Sequence, residues 1–280
     1  MTPVRLLLGL LCAVLSGCTS VFLYPDRVQH LADRALGTPA EDVWIEARDG
    51  NRLHALHLPA QGALKATLLH LHGNAENLSS HVHLVSWLPA RGYAVLALDS
   101  RGYGRSQGAA SVAAMHEDAE AALAWLVARG QSRTGPLIVL GQSIGGSVAI
   151  RMVAQSPLRE HVTAVVADSA FSGYRRIARE KLAQPWLTWP LQWPLSLLVS
   201  DRFAAVDVVA GISPIPLLLI HGERDIIVDA SHSQRLYAAA SEPKTLWRIA
   251  QGGHIDALRS DSVQARLVEY LDRIVQANND

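Results

Sequence analysis

The sequence predicts an α/β domain whose core is a parallel β-sheet covered by helices on both faces. Two patterns carry this. Short continuous apolar runs at 66–71, 94–98, 137–140, 162–167, 216–220 and 245–249 alternate with helical periodicity at 78–90, 112–129, 145–155, 231–240 and 257–276. Runs with no apolar/polar alternation read as strands buried on both faces, which is what crossover helices produce. Composition agrees. The chain has 280 residues, 25 basic against 25 acidic, with 49% hydrophobic. It can bury a large core, is too apolar for a disordered chain, and lacks the basic excess of a nucleic-acid binder.

The first residues read as a targeting segment. Arg5 precedes an apolar run at 6–15, too short to span a bilayer, and Leu15-Ser16-Gly17-Cys18 follows. This resembles the lipobox of bacterial lipoproteins. The resemblance implies cleavage of residues 1–17, diacylation of Cys18 and a lipid-anchored place in the cell envelope, with residues 18–40 as anchor and linker. Thr19 is no inner-membrane retention signal by the same analogy, which favours the outer membrane. Cys12 and Cys18 are the only cysteines. The body therefore has no disulfide, no Cys-based zinc site and no cysteine nucleophile.

The domain proper is expected over 41–280. It opens with two runs flanking Asp49-Gly50-Asn51, a hairpin signal. One interval breaks the later βα rhythm. Residues 171–212 separate two strands and contain Trp186, Trp189 and Trp193 among prolines, beside basic Arg175, Arg176, Arg179 and Lys181. An insertion this long reads as a helical cap over the sheet's C-terminal edge, with its tryptophans forming an apolar acyl pocket.

The chemistry is expected at strand ends. Residues 137–148 read strand, sharp turn, helix, with Ser143 at the centre of G-x-S-x-G. Small neighbours are needed because that turn is strained and crowded. The Ile144 amide then lies at a helix start, where it can stabilise an oxyanion. Gly104-Arg105-Ser106-Gln107-Gly108 matches the same pattern, but no helix starts at once, so Ser106 reads as a loop residue.

A serine hydroxyl needs a base, and the base an orienting carboxylate. On this kind of turn the partners follow as acid, then histidine. Asp225 follows the run at 216–220, and His254 follows Gly252-Gly253 beyond the run at 245–249. Asp168, one strand earlier, is the competing acid; Glu223 and Asp229 read as solvated loop charges. His70 and His72 form H-x-H without a nearby third ligand, so no metal site is expected.

Leu71-His72-Gly73-Asn74-Ala75, Asp99-Ser100-Arg101-Gly102-Tyr103-Gly104-Arg105-Ser106, the Ser143 turn, His221-Gly222-Glu223-Arg224-Asp225 and Gly253-His254 together resemble an α/β-hydrolase. The nearest branch holds α/β-hydrolase-domain membrane proteins and serine-aminopeptidase-like esterases. The resemblance implies an eight-stranded, mostly parallel sheet, a Ser143–Asp225–His254 triad and no cofactor. It assigns the second oxyanion donor to the Asn74 backbone N–H and loop-orienting roles to Asp99 and Arg101. Glu76, where the branch often has glycine, and Ser100, where it often has tyrosine, are departures that bear on the pocket.

The expected activity is hydrolysis of a carboxylester or thioester, in a small molecule or an acylated protein, through an acyl-enzyme. The alternatives are a peptidase or amidase on the same fold, and a non-catalytic envelope lipoprotein that binds an apolar ligand.

Overall fold

Eight strands form one sheet in the order β1-β2-β4-β3-β5-β6-β7-β8. The structure, a computed structural model, describes residues 23–30 and 36–278. The leader and Cys18 lie outside the described residues. The strands are β1 (Glu41–Glu46), β2 (Arg52–Leu58), β3 (Ala66–Leu71), β4 (Tyr93–Leu98), β5 (Leu137–Gln142), β6 (Val162–Asp168), β7 (Leu217–Gly222) and β8 (Lys244–Ile249). Among these strands only β2 runs against its neighbours, pairing antiparallel with β1 and β4. The other contacts, β4–β3–β5–β6–β7–β8, are parallel. The expected hairpin is β1–β2, and its Gly50 takes φ 82° at the turn.

Among the described residues the α-helices are α1 (Leu78–His81), α2 (Val112–Ala128), α3 (Ile144–Gln155), α4 (Tyr174–Ala183), α5 (Gln192–Ser196), α6 (Ser231–Ala239) and α7 (Asp261–Ala277), a single turn at Gln131–Thr134 aside. Successive residues of a strand point to opposite faces, so two cores form. Leu69, Leu96 and Val139 pack with α2, α3 and α6. Leu68, Val95, Ile138 and Leu140 pack with the α7 stripe Val263, Leu267, Leu271 and Val275. That four-residue spacing puts one face of α7 on the sheet.

Where a continuous helix is expected at 78–90, the chain makes short turns: α1, Val82–Leu84 and Pro89–Arg91. Side chains here bond to the nearby backbone. The Ser80 hydroxyl donates to the Asn77 carbonyl (3.0 Å) and Trp87 Nε1 to that of Leu84 (2.9 Å). Such bonds compete with helix propagation, and Pro89 has no N–H to continue it.

The 171–212 interval holds α4, a 3₁₀ turn at Trp189–Leu191 and α5. Its two ends are tied at a neck. The Val206 N–H donates to the Ser172 carbonyl (3.0 Å), and the Arg175 N–H to Asp201 Oδ1 (3.0 Å). Buried His232 of α6 clips α4 to the body. Its Nε2 bonds Glu180 Oε2 at 2.9 Å and its Nδ1 bonds the Ser172 hydroxyl at 2.8 Å. The Ser172 backbone N–H also points at that Nδ1, at 3.0 Å. Burial opposes charge on Glu180, but the His232 bond and the nearby Arg176 outweigh it and hold the carboxyl below its ordinary range.

Arg101, just past β4, ties three segments together. Its Nε donates to Asp118 Oδ1 (2.6 Å), its backbone N–H to Asp118 Oδ2 (2.7 Å), Nη2 to Glu117 (2.8 Å) and Nη1 to Asp49. Asp118 is fully buried on α2. Removing the guanidinium strands a buried carboxylate, so Arg101→Ala is expected to lower unfolding free energy by about 3–5 kcal/mol. Arg101→Lys should recover little of it, because an ammonium cannot fork to three acids. Urea denaturation of the three proteins measures both effects.

Candidate active site

Ser143 sits between β5 and α3 with φ 55° and ψ −119°, a conformation that a residue with a Cβ rarely adopts. The surroundings impose it. A Cβ on Gly141 would lie 2.2 Å from the Gly145 carbonyl oxygen, and a Cβ on Gly145 would lie 2.2 Å from that of Leu71. The Ser143 N–H donates to the Asp168 carbonyl at the end of β6 (2.8 Å). Three strand ends therefore converge on this turn. Ile144 opens α3, where the first N–H groups have no partner within the helix.

The His72–Asn77 loop faces it. A Cβ on Gly73 would lie 3.5 Å from Ser143 Cβ and 3.1 Å from His81 Cε1. Ala75 (φ 61°) and Glu76 (φ 52°) take left-handed backbone. Asn77 caps α1 by accepting the Ser79 N–H (2.9 Å), and Asp99 Oδ1 accepts the Leu78 N–H (2.8 Å). Asn74 Oδ1 accepts from the Tyr24 N–H (2.9 Å) and the Tyr103 hydroxyl (3.0 Å). Residues 24–30 thus form a strap over the loop. The Asn77 side chain also donates to the carbonyls of Asp26 and Val28, and Gly104 N–H donates to Asp26. The sequence reading treats these residues as linker. Their only signal is polar pairing across about fifty positions, which no local pattern reveals.

Asp225 lies in the loop after β7. Its Oδ2 accepts from His254 Nδ1 at 2.8 Å, and its Oδ1 from the Ile227 and Val228 N–H groups, both at 2.8 Å. Burial raises its pKa, but the His254 bond and those amides overcome this and hold the carboxyl below the ordinary aspartate value. His221 staples the loop: Nε2 donates to the Val228 carbonyl (2.9 Å) and Nδ1 takes the Ser233 hydroxyl. The His254 loop is joined to it through backbone. Glu223 N–H donates to Ile249 and Arg224 N–H to Gly252, both at 2.9 Å. The Ile255 N–H reaches Ser169 Oγ (3.3 Å), one residue beyond Asp168. His254 therefore meets Asp225 directly and Ser143 through shared neighbours. Among the described residues no hydrogen bond joins Ser143 to His254.

The competing residues have other employment. Asp168 accepts from Gln142 Nε2 (3.1 Å), and Gln142 Oε1 bonds His70 Nε2 (3.0 Å), a buried polar chain beneath the turn. Burial pushes Asp168 up to about 6. Ser106 is fully buried; its hydroxyl donates to the Asp99 carbonyl (2.7 Å) and accepts the His54 N–H (2.8 Å). His72 Nδ1 bonds the Gly73 carbonyl (2.7 Å). Glu223 pairs with Arg248 at 2.8 Å, and Asp229 accepts the Ser231 N–H at 2.9 Å.

This arrangement is that of an α/β-hydrolase. The match to the Hydrolase_4 family, serine aminopeptidase S33, covers residues 62–207, just over half of the chain, and the chain belongs to that family. It is 37% identical to the uncharacterized protein YfhR of Escherichia coli K12 over 92% of this chain and 87% of that one. It is 30% identical to the α/β-hydrolase domain-containing protein WAV2 of Arabidopsis thaliana over 77% and 72%. Among solved structures, the Pyrococcus furiosus esterase Pf2001 superimposes with TM-score 0.69 at 23% identity, covering 93% of this chain and 98% of that one. The esterase domain of a Rhodothermus marinus protein superimposes with TM-score 0.60 at 25% identity, covering 84% and 97%.

Two expectations follow. Gly145→Ala drives a methyl group into the β3 backbone, so the variant should lose most soluble folded protein, read by circular dichroism. Burial also depresses several imidazoles: His70 to about 4, and His81 and His116 to about 3, against an ordinary 6.5. As pH falls below 6.5 the unfolded chain takes up protons that these folded histidines refuse, so stability falls. Asp118 and Asp168, raised to about 6 from 3.8, act with the opposite sign between those values. Three histidines outweigh two carboxyls. The melting temperature is therefore expected to be lower at pH 5 than at pH 7 by differential scanning fluorimetry.

Proposed function

We propose that the protein is a lipid-anchored serine esterase of the bacterial cell envelope, in which Ser143, His254 and Asp225 act as nucleophile, base and orienting acid. The observation that carries this is the 2.8 Å His254–Asp225 bond, at the same sheet edge as a serine held at φ 55°. With Nδ1–H donated to Asp225, His254 Nε2 is free to accept the Ser143 proton. Ser143 Oγ attacks the acyl carbonyl carbon of a carboxylester or thioester. The backbone N–H groups of Asn74 and Ile144 receive the oxyanion. His254 then protonates the leaving alcohol or thiol. Water that His254 deprotonates then attacks the acyl carbon, the bond to Ser143 Oγ breaks, and His254 returns the proton to that oxygen as the acid leaves. Diacylation of Cys18 and a place on the outer membrane belong to the same reading; the motif at 15–18 supports them. Substrates in that setting are small-molecule esters or acylated proteins.

Ser143→Ala is expected to abolish fluorophosphonate labelling and lower turnover of p-nitrophenyl esters by roughly 10⁴-fold or more. Asp225→Asn should lower kcat by about 10⁴-fold, since it leaves His254 in the wrong tautomer. Full turnover by Ser143→Ala would overturn the assignment. Turnover of aminoacyl amides without ester turnover would make the enzyme a peptidase. A folded chain that takes no label would be a binding protein.

A further inference from the structure

The three cap tryptophans point outward. Trp186 is 85% exposed, Trp189 61% and Trp193 62%, with Leu187 and Leu197 beside them at 67% and 64%. The expected acyl-pocket role does not account for side chains that face water. Of the fourteen large apolar side chains exposed among the described residues, twelve lie in three segments: the strap, the cap and the Asp225 loop with Ile226. All three segments border the sheet's C-terminal edge, where Ser143 lies. Exposed apolar area concentrated on one edge marks an interaction surface.

We propose that this edge is a docking surface for an anionic lipid bilayer, with the cap tryptophans and leucines seated in the headgroup boundary and the Ser143 site opening onto it. Three observations select lipid as the occupant. First, the residue types fit: tryptophan and leucine in short helical turns, without a charged residue from 182 to 199, form the apolar half of an interfacial segment. Second, the charge fits. Helix α4, which leads into the cap, carries Arg175, Arg176, Arg179 and Lys181 against Glu180 alone, in a chain of zero net charge. The Arg179 guanidinium lies 4.2 Å from the centre of the Trp193 ring, which places a cation at the rim of the apolar patch. Third, the chain position fits. Tyr24 is fastened to Asn74 at the site, and six residues, even fully extended, reach only about 20 Å. Acylation at Cys18, which rests on the reading above, would hold this edge close to the membrane. The first two observations stand without it.

The test uses the full chain with Cys12→Ser and Cys18→Ser, which leaves it unacylated, and one added cysteine carrying an environment-sensitive dye. The dye is placed at Leu187→Cys in the cap. The control position is Leu64→Cys, exposed at the opposite sheet edge just before β3. Because both chains keep the leader, its own affinity for lipid is common to both. On vesicles of equal phosphatidylglycerol and phosphatidylcholine, the dye at 187 should brighten and shift to the blue, and the dye at 64 should not. Replacing Arg175 by Gln should lower partitioning about fivefold on these vesicles and leave it unchanged on phosphatidylcholine alone. An unchanged dye at 187, or equal changes at both positions, would overturn the proposal. So would concentration-dependent shielding at 187 without lipid, which would mean that a second copy covers the patch. Hydrolysis of p-nitrophenyl butyrate, a soluble monomeric ester, separates the two readings. The cap variants should retain it, and Ser143→Ala should lose it while keeping the vesicle response.

Discussion

The site depends on backbone crowding at Gly141 and Gly145. Neither position has room for one methyl group, because carbonyls of α3 and β3 lie where the Cβ would be. This close packing holds Ser143 in a backbone state worth roughly 1–3 kcal/mol of strain. The strain is offset by the sheet and the two hydrophobic cores. It is released only if β3, β5 and α3 separate, so the serine's orientation is set by the whole central sheet and not by its own loop.

The same edge holds two buried carboxyls in opposite electrostatic conditions. Asp225 receives two backbone N–H groups and an imidazole and is held low. Asp168 has an amide side chain and a serine hydroxyl, and burial raises it. Environments that push two neighbouring carboxyls apart separate their roles. One is bonded to the His254 ring. The other is suited to bridging strands through Gln142 to His70. His70 and His81, held at about 4 and about 3, are uncharged at neutral pH. Neither imidazole therefore adds a cation beside the His72–Asn77 loop at neutral pH.

Much of this was legible from sequence because it is local. Strand runs, the glycine-flanked serine and the glycines before His254 are contiguous patterns whose causes lie within a few residues. The parallel sheet and its two-sided burial follow from them. What escaped is non-local or directional. The bond from Tyr24 to Asn74 and the clip from His232 to Glu180 join residues about fifty positions apart. The staple at His221 depends on Ser233, in the next helix. The tryptophans were visible as a cluster, but whether they face a pocket or solvent depends on the rotation of short turns, which carry no periodicity to read. Segment 78–90 failed as one helix because polar side chains and Pro89 competed within it.

The neck of the cap has an evolutionary consequence. Chain leaves the body at Ser172 and re-enters at Val206, and those two residues are joined by a 3.0 Å backbone hydrogen bond. Everything between them is topologically a single excursion that starts and finishes at one point. Loop closure depends only weakly on the length enclosed. Such a junction tolerates exchange: relatives could carry longer, shorter or chemically different excursions on the same stem without moving a strand. Divergence in what the enzyme meets would then accumulate in this segment, while the scaffold around Ser143 stayed constant.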